Sequence, residues 1–201
     1  VLRHNLRNAM NVVLGHLDVL AIEAPSELQP NVEQALAAAE RVSDLPDKVQ
    51  VIEDALQSEG EVAPAADLSP LVAAAAERAR EQNPDATVTV DVPGVTVRGG
   101  RALETAVEEL LENATIHAGD APLVTATATV EPETVTLTIE DDGDGIPALE
   151  RDVVAGNTDI TQLEHSRGLG LWLAHHVVTS LGGTLSFSGG STLTLELQRA
   201  D

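Results

Sequence analysis

The sequence contains no cysteine and only one lysine among its 201 residues. Without cysteine, disulfides, thiolate catalysis and zinc sites built on thiolates are excluded. A Walker phosphate-binding loop is also excluded, because such a loop ends in Lys-Ser or Lys-Thr and no glycine-rich loop surrounds Lys48. Any site that binds phosphate groups must therefore use metal, backbone N–H groups, arginine or histidine.

Long apolar runs are absent, and positive charge is scarce. No signal peptide and no apolar run of about 18 residues occurs, so we expect a soluble, cytoplasmic chain. The chain starts inside a helical pattern, which indicates a fragment whose upstream part, a sensor or a membrane anchor, is missing. The 33 acidic residues against 11 Lys and Arg give a net charge of -22, which disfavours nucleic acid and anionic lipid as partners.

The acidic residues are spread along the whole chain, and ten of the 11 basic residues are arginine. In concentrated salt the Debye length falls to a few ångströms, so self-repulsion at such a charge becomes tolerable. The composition therefore indicates a folded, halophilic protein. Intrinsic disorder is the alternative for a highly charged chain, but 43% apolar residues in periodic segments argue against it.

Residues 1–58 are predicted to form a helical hairpin. Apolar residues spaced by three and four predict an amphipathic helix over about 1–23, followed by a turn at 24–30. A second helix over about 31–58 has a coiled-coil seam, which Pro46 should kink or interrupt. Since two such helices cannot bury both apolar stripes alone, we expect a homodimer through this hairpin, a four-helix bundle.

A polar linker over 59–67 is predicted to lead into a second unit at 68–201. The unit's order of helices and strands predicts an α+β sandwich, with helices on one face of a mixed sheet and solvent on the other. The predicted helices are at about 68–82, 100–118 and 168–181, and the predicted strands at about 87–92, 95–98, 122–130, 133–141, 184–188 and 192–198.

Two glycine motifs about 20 residues apart predict a nucleotide pocket in the second unit. In Asp141-Asp142-Gly143-Asp144-Gly145-Ile146, the glycines allow close approach to a flat ligand, and a carboxylate at the strand end can accept a hydrogen bond from an amine. In Gly168-Leu169-Gly170-Leu171, a helix opens with N–H groups that favour phosphate. The alternatives are an ordinary acidic turn for the first motif and a helix start that binds no ligand for the second.

Glu109, Asn113 and His117 are spaced by four and so share one face of the preceding helix. The first two carry oxygen atoms suited to Mg²⁺ or to a metal-bound water. A solvated helix face is the alternative, and the nearby glycine motifs favour the functional interpretation. Residues 147–167 have little pattern and are predicted to be a mobile lid or an ordinary surface loop.

These residues together resemble the N, G1 and G2 boxes of the Bergerat-fold ATPases, which include sensor histidine kinases, gyrase, Hsp90 and MutL. The segment Leu2-Arg3-His4-Asn5-Leu6-Arg7-Asn8-Ala9-Met10 is similar to the phosphoacceptor helix of histidine kinases, most of all the haloarchaeal ones. The resemblance implies an ATP-dependent protein-histidine kinase that autophosphorylates His4 and passes the phosphoryl group to a response-regulator aspartate, with a reverse phosphatase activity. The alternative is a nucleotide-controlled interaction module with weak or no kinase activity.

The resemblance also implies a role for each matched residue. Asn8 would orient a water or the partner's aspartate, Glu109 would order a metal-bound water, and Asn113 would ligate Mg²⁺. The residues implied to bind ATP are Asn113, His117, Asp141, Gly143, Gly145, Arg167, Gly168, Gly170 and Thr192.

Two residues depart from the resembled pattern. Asn5 stands where an acidic residue is usual after the phosphoacceptor, and it cannot accept a proton as a carboxylate would. Ile116 stands where a lysine often follows the N-box asparagine, so one phosphate contact is lost and Arg167 or a lid residue becomes the expected cation.

Overall fold

The computed structural model describes residues 2–36, 38–39, 42–43, 50, 63–119, 121–146, 151, 167–188 and 191–200. The chain divides into two compact units, Val1–Glu53 and Asp54–Asp201. Among the described residues, no helix combines the length and the apolar character that a bilayer crossing requires.

Helix α1 of the first unit spans Leu2–Glu23, as the apolar spacing predicts. The amide of Gln29 caps its end, since Nε2 donates to the carbonyl oxygens of Ala21 at 3.0 Å and Ala24 at 3.2 Å. Residues 29–36, 38–39, 42–43 and 50 are helical, in agreement with a second helix, and the predicted interruption at Pro46 lies outside the described residues. Large apolar side chains of α1 remain exposed within this unit, including Val12 at 61% and Ile22 at 85%.

The second unit has the predicted order of elements, with one additional strand at its start. Its helices are α2 at Leu68–Gln82, α3 at Gly100–His117 and α4 at Arg167–Ser180. Its strands are β1 at Ala65–Asp67, β2 at Thr87–Asp91, β3 at Thr96–Arg98, β4 at Leu123–Val130, β5 at Thr134–Asp141, β6 at Thr184–Ser188 and β7 at Thr192–Gln198.

Five strands form one mixed sheet in the order β2-β4-β5-β7-β6, in which β2 pairs parallel to β4 and the other pairs are antiparallel. Alternate residues of these strands, such as Leu137 and Leu195, are fully buried on the side that packs against the helices. The opposite side carries mostly threonine and serine, exposed or half-buried, so this face meets solvent as predicted.

The end of the predicted linker belongs to the fold of the second unit. Residues 65–67 form β1, which pairs antiparallel with β3 in a separate two-stranded sheet. Just before β1, the carbonyl oxygen of Pro64 accepts a hydrogen bond from the Gly99 amide at 2.9 Å, at the start of α3. The chain is therefore fixed to the N-terminal end of α3 where it enters this unit.

Candidate functional site

Helices α3 and α4 meet at Gly170, which is buried in the first turn of α4. A β-carbon built on Gly170 would overlap Oε2 of Glu109 and would lie 3.4 Å from Nδ2 of Asn113. Glu109 is only 7% exposed and Asn113 is half-buried. The shared face of α3 therefore contacts the second glycine motif, and only glycine leaves room for this close approach.

The start of α4 lies against this contact. The first N–H groups of a helix have no partner within the helix, and they carry partial positive charge. Gly168 is in this first turn, and so is Arg167, whose side chain lies outside the described residues. N–H donors at the start of α4 therefore lie next to the carboxylate of Glu109 and the side-chain amide of Asn113. This combination is suited to a phosphate group with its metal ion.

The first glycine motif forms a turn that begins at the end of β5. Oδ1 of Asp141 accepts a hydrogen bond from the Gly143 amide at 2.9 Å, which fixes the orientation of the carboxylate. A β-carbon at Gly143 would lie 2.6 Å from Cα of Ala118, the residue that follows α3. Gly145 has a φ of 83°, in the left-handed region that favours glycine.

The C-terminal half of α3, together with Ala118 directly after it, thus contacts both glycine motifs. Glu109 and Asn113 lie against Gly170, and Ala118 lies against Gly143. His117, the last residue of α3, lies between these contacts along the chain, but its side chain lies outside the described residues.

Thr192 lies on a different face of the sheet from Asp141. In the register of β5 with β7, Thr192 pairs with Glu140, and both belong to the solvent-facing row. Asp141 follows the buried Ile139 in the row that faces the helices, and its amide donates to the carbonyl oxygen of Ser191 at 3.2 Å. Because side chains alternate along a strand, the Thr192 side chain starts from the side of the sheet opposite to the Asp141 carboxylate, and its role near the base stays a prediction.

Two candidate residues belong to the first unit. His4 lies in the first turns of α1, and its side chain is outside the described residues. Asn8 lies one helical turn later and is exposed. The predicted lid at 147–167 is also outside the described residues, apart from the helical residue Arg151 and the start of α4 at Arg167.

A group of charges joins α2 to α3 on the surface. Arg78 forms ion pairs with Glu104 and Glu108. Burial raises the pKa of Glu108, and the nearby Arg78 guanidinium opposes this shift. The group lies on the α2 side of α3, so we assign it to helix packing.

Two adjacent histidines of α4 differ in their surroundings. Burial lowers the pKa of His175, and the neighbouring His176 lowers it further. His176 stacks on Trp172 with ring centroids 5.3 Å apart, and its Nε2 is buried without a hydrogen-bond partner among the described residues. Within that part of the chain, no group of three or more histidine and carboxylate side chains is arranged to hold a metal ion by itself.

The arrangement has counterparts among known proteins. The family model of the histidine kinase-, DNA gyrase B- and HSP90-like ATPases matches residues 99–201. The probable sensor histidine kinase TcrY of Mycobacterium tuberculosis is 34% identical over 136 residues, which cover 64% of this chain and 29% of TcrY. The sensor-type histidine kinase PrrB of Mycobacterium tuberculosis is 30% identical over 214 residues, which cover 96% of this chain and 46% of PrrB. The chain thus spans less than half the length of either relative.

A solved structure of the ATP binding domain of PrrB from Mycobacterium tuberculosis is also similar. It has 29% sequence identity and a TM-score of 0.56, and the match covers 70% of this chain and 99% of that domain. The sheet and the helices that carry the candidate site are therefore those of a histidine kinase ATP-binding domain.

Proposed function

Because the chain belongs to the histidine kinase-, DNA gyrase B- and HSP90-like ATPases, we propose that it is the catalytic core of an ATP-dependent protein-histidine kinase. The observation that carries the proposal is the contact of α3 and of Ala118, the residue directly after it, with the two glycine motifs at Gly170 and at Gly143. The similarity to TcrY and PrrB, two sensor histidine kinases, supports a kinase over the other members of the family.

ATP fits the site because the two motifs provide different chemistry at each end of α3. At the Gly143 end, the fixed Asp141 carboxylate accepts a hydrogen bond from the adenine amine, and Gly143 and Gly145 leave room for the flat base. At the Gly170 end, N–H groups of α4 bind the phosphates. Arg167 is the basic residue that we assign to the phosphate side, and His117 is assigned to the nucleotide without a choice between its two ends.

Mg²⁺ fits the oxygen ligands of this site. The ion takes few protein ligands when substrate phosphates complete its octahedron. Asn113 provides the amide oxygen that would bind the ion, and Glu109 would orient a metal-bound water. When bound, the ion neutralises charge on the phosphate oxygens.

His4 is the proposed phosphoryl acceptor. The unprotonated ring nitrogen of the neutral imidazole attacks the γ-phosphorus in line, the bond to the bridging oxygen breaks, and ADP leaves with that electron pair. The other ring nitrogen then releases its proton. Asn5 cannot take up this proton as a carboxylate would, so water is the acceptor and we expect slow autophosphorylation.

The phosphoryl group then passes to an aspartate carboxylate on a response-regulator receiver domain, and the His4 imidazole is regenerated. Asn8 lies one turn from His4 and would orient that aspartate, or the water of a reverse phosphatase reaction. The exposed apolar residues of α1 support a homodimer through residues 1–58, because a helical hairpin needs a partner to cover them. Since the reaction consumes ATP, we place the protein in the cytoplasm.

Phosphotransfer from γ-³²P-labelled ATP tests this function. In high salt, we expect the full chain to acquire an acid-labile, base-stable label. His4→Ala should lose the label and keep ATP binding, whereas Asn113→Ala should lose both. Asn31→Ala, an exposed asparagine of the first unit, is the matched control and should be labelled like the wild type. Full labelling of His4→Ala would contradict the acceptor assignment.

The second candidate is a nucleotide-controlled interaction module of the same fold. The observation that favours it is Ile116, which is 53% exposed on the last turns of α3 and offers no charge to a phosphate. In that case ATP would bind and tighten the dimer, but no phosphohistidine would form. Sedimentation with and without ATP, run beside the labelling assay, separates the two candidates.

A further inference from the structure

The carbonyl group of Thr115 needs a hydrogen-bond partner from outside α3. The helix ends at His117, so its last carbonyl groups lack intrahelical donors. Gly119, which follows with a φ of 99°, turns the chain away from the helix. Thr115 is fully buried, so water cannot satisfy the carbonyl, and an unpaired buried carbonyl is costly.

Asn83 provides the missing donor. Its Nδ2 donates to the Thr115 carbonyl oxygen at 2.7 Å, from the residue that ends α2. The backbone of Asn83 is itself held on both sides. Its backbone N–H donates to the carbonyl oxygen of Ala79, and its backbone carbonyl oxygen accepts from the Ala86 N–H, each at 3.0 Å. The side chain therefore acts as a rigid tertiary cap on the last turn of α3.

The turn that starts at Asn83 holds the connection from α3 to β4 at a second point. The Thr87 amide donates to the carbonyl oxygen of Pro122 at 2.8 Å, directly before β4. The next residue, Leu123, donates its amide to Oδ1 of Asp142 at 2.9 Å, within the first glycine motif. Both ends of the connection from α3 to β4 are therefore tied to the turn between α2 and β2.

Ala118 follows the capped turn of α3 and lies directly behind Gly143, as described above. A shift of the last turn of α3 would therefore move the support behind Gly143, whose amide orients the Asp141 carboxylate. We propose that Asn83 is a positioning residue for base recognition, which holds Ala118 against Gly143 through the Thr115 carbonyl. The proposal rests on the ATP-binding function proposed above.

Base recognition and phosphate binding should separate in variants of Asn83. Glu109 and Asn113 contact Gly170 from earlier in α3 and do not depend on the Thr115 cap. Inosine triphosphate has the same phosphates as ATP but an oxygen in place of the adenine amine, so it does not provide the hydrogen bond to Asp141. The ratio of the two dissociation constants therefore reports on the base end alone.

The test compares Asn83→Ala and Asn83→Asp with the wild-type full chain in high salt, which favours the folded state of an acidic protein. Asn83→Asp keeps the shape of the side chain and removes its N–H donors. Gln82→Glu, at the exposed neighbouring residue, is the control for added charge. Calorimetric titration gives the dissociation constants, and hydrogen exchange of the nucleotide-free protein reports on the Gly143 amide.

We expect both Asn83 variants to weaken ATP binding about tenfold, as the loss of one hydrogen bond to a buried group implies. Binding of inosine triphosphate should change less than about twofold, and exchange of the Gly143 amide should become faster. Gln82→Glu should leave the ratio of dissociation constants and the exchange rate unchanged.

An unchanged ratio in both Asn83 variants would overturn the proposal, even if both affinities fall together, because a parallel fall indicates general destabilisation. If the wild type binds neither nucleotide, the proposed function fails, and hydrogen exchange alone then decides on Asn83. Unchanged protection of the Gly143 amide would then overturn its positioning role.

Discussion

Gly170 shows how strongly one residue can be constrained by a site. The position has no room for a β-carbon, because Glu109 Oε2 already occupies that space and Asn113 Nδ2 lies 3.4 Å away. Glu109 is only 7% exposed, so its carboxylate has little free space into which it can move. A methyl group at Gly170 must therefore displace the Glu109 carboxylate, which we assign to the metal-bound water.

We predict that Gly170→Ala weakens ATP binding at least tenfold and lowers the free energy of unfolding by about 1 to 3 kcal/mol, as overpacking of a buried contact does. Titration calorimetry and urea unfolding measure the two effects. Gly94→Ala is the matched control, because a β-carbon there meets no atom of the described residues within 4 Å. Near-normal ATP binding by Gly170→Ala would show that this contact is not part of the phosphate site.

The sequence predicts the residues on α3 well, because a spacing of four places Glu109 and Asn113 on one face whatever the helix packs against. The face of the sheet on which Thr192 lies is harder to predict. Neighbouring residues of a strand face opposite sides, and the pairing of Thr192 with Glu140 assigns it to the solvent-facing row. The alternation of the buried Leu193, Leu195 and Leu197 with Thr192 and Thr194 carries the same signal in the sequence.

At the scale of elements, α3 is held at its first residue as well as at its last turn. Gly100 begins the helix with a φ of 51°, and a β-carbon there would lie 2.6 Å from Cγ of Pro64. Pro64 precedes β1, which pairs with β3 just before α3 begins. The entry of the chain into the second unit is therefore packed against the helix that carries the site.

We predict that Gly100→Ala lowers the free energy of unfolding by about 2 to 5 kcal/mol, the sum of a left-handed alanine and an overpacked contact. Gly182→Ala isolates the first effect, because Gly182 has a φ of 76° and no atom of the described residues lies within 4 Å of its β-carbon position. That control should lose about 1 to 2 kcal/mol. The comparison uses urea midpoints at an unchanged m-value, and equal losses would show that Pro64 gives way without cost.

The elements of the second unit follow from periodicity, which is why their predicted helix and strand bounds agree with the structure within two residues. Strand β1 is the exception. Ala65, Ala66 and Asp67 carry neither an alternating pattern nor β-branched side chains, and they are extended because β3 provides hydrogen bonds to them. A pairing between residues about 30 positions apart has no local signal, so the sequence does not predict β1.

At the scale of the whole molecule, charge is the dominant feature, and the net charge of -22 is spread over a chain with a regular buried core. The solvent-facing side of the sheet contributes mainly hydroxyl groups, so repulsion is concentrated in the carboxylates of helices and loops. Salt should screen the repulsion among all of these carboxylates at once.

We predict that raising KCl from about 0.1 M to about 1 M, which shortens the Debye length from about 10 Å to about 3 Å, raises the thermal midpoint. Each kcal/mol of relieved repulsion corresponds to about 2 to 4 °C for a chain of this size. Sucrose at the same osmolality is the control for non-ionic stabilisation. A midpoint that rises no more in KCl than in sucrose would contradict adaptation to high salt.

The length of helix α3 also sets the distance between the contact at Gly170 and the contact at Gly143. The residues against Gly170 lie on this helix, and Ala118, the residue against Gly143, directly follows its end; from Asn113 to His117 the helix advances about 6 Å. In the proposed site, the distance between the base end and the phosphate end would thus be set by the number of residues in the helix. A single residue inserted between these points would lengthen the span by about 1.5 Å and rotate one end against the other by about 100°. We therefore expect substitutions along α3 to be tolerated more easily than insertions or deletions of residues.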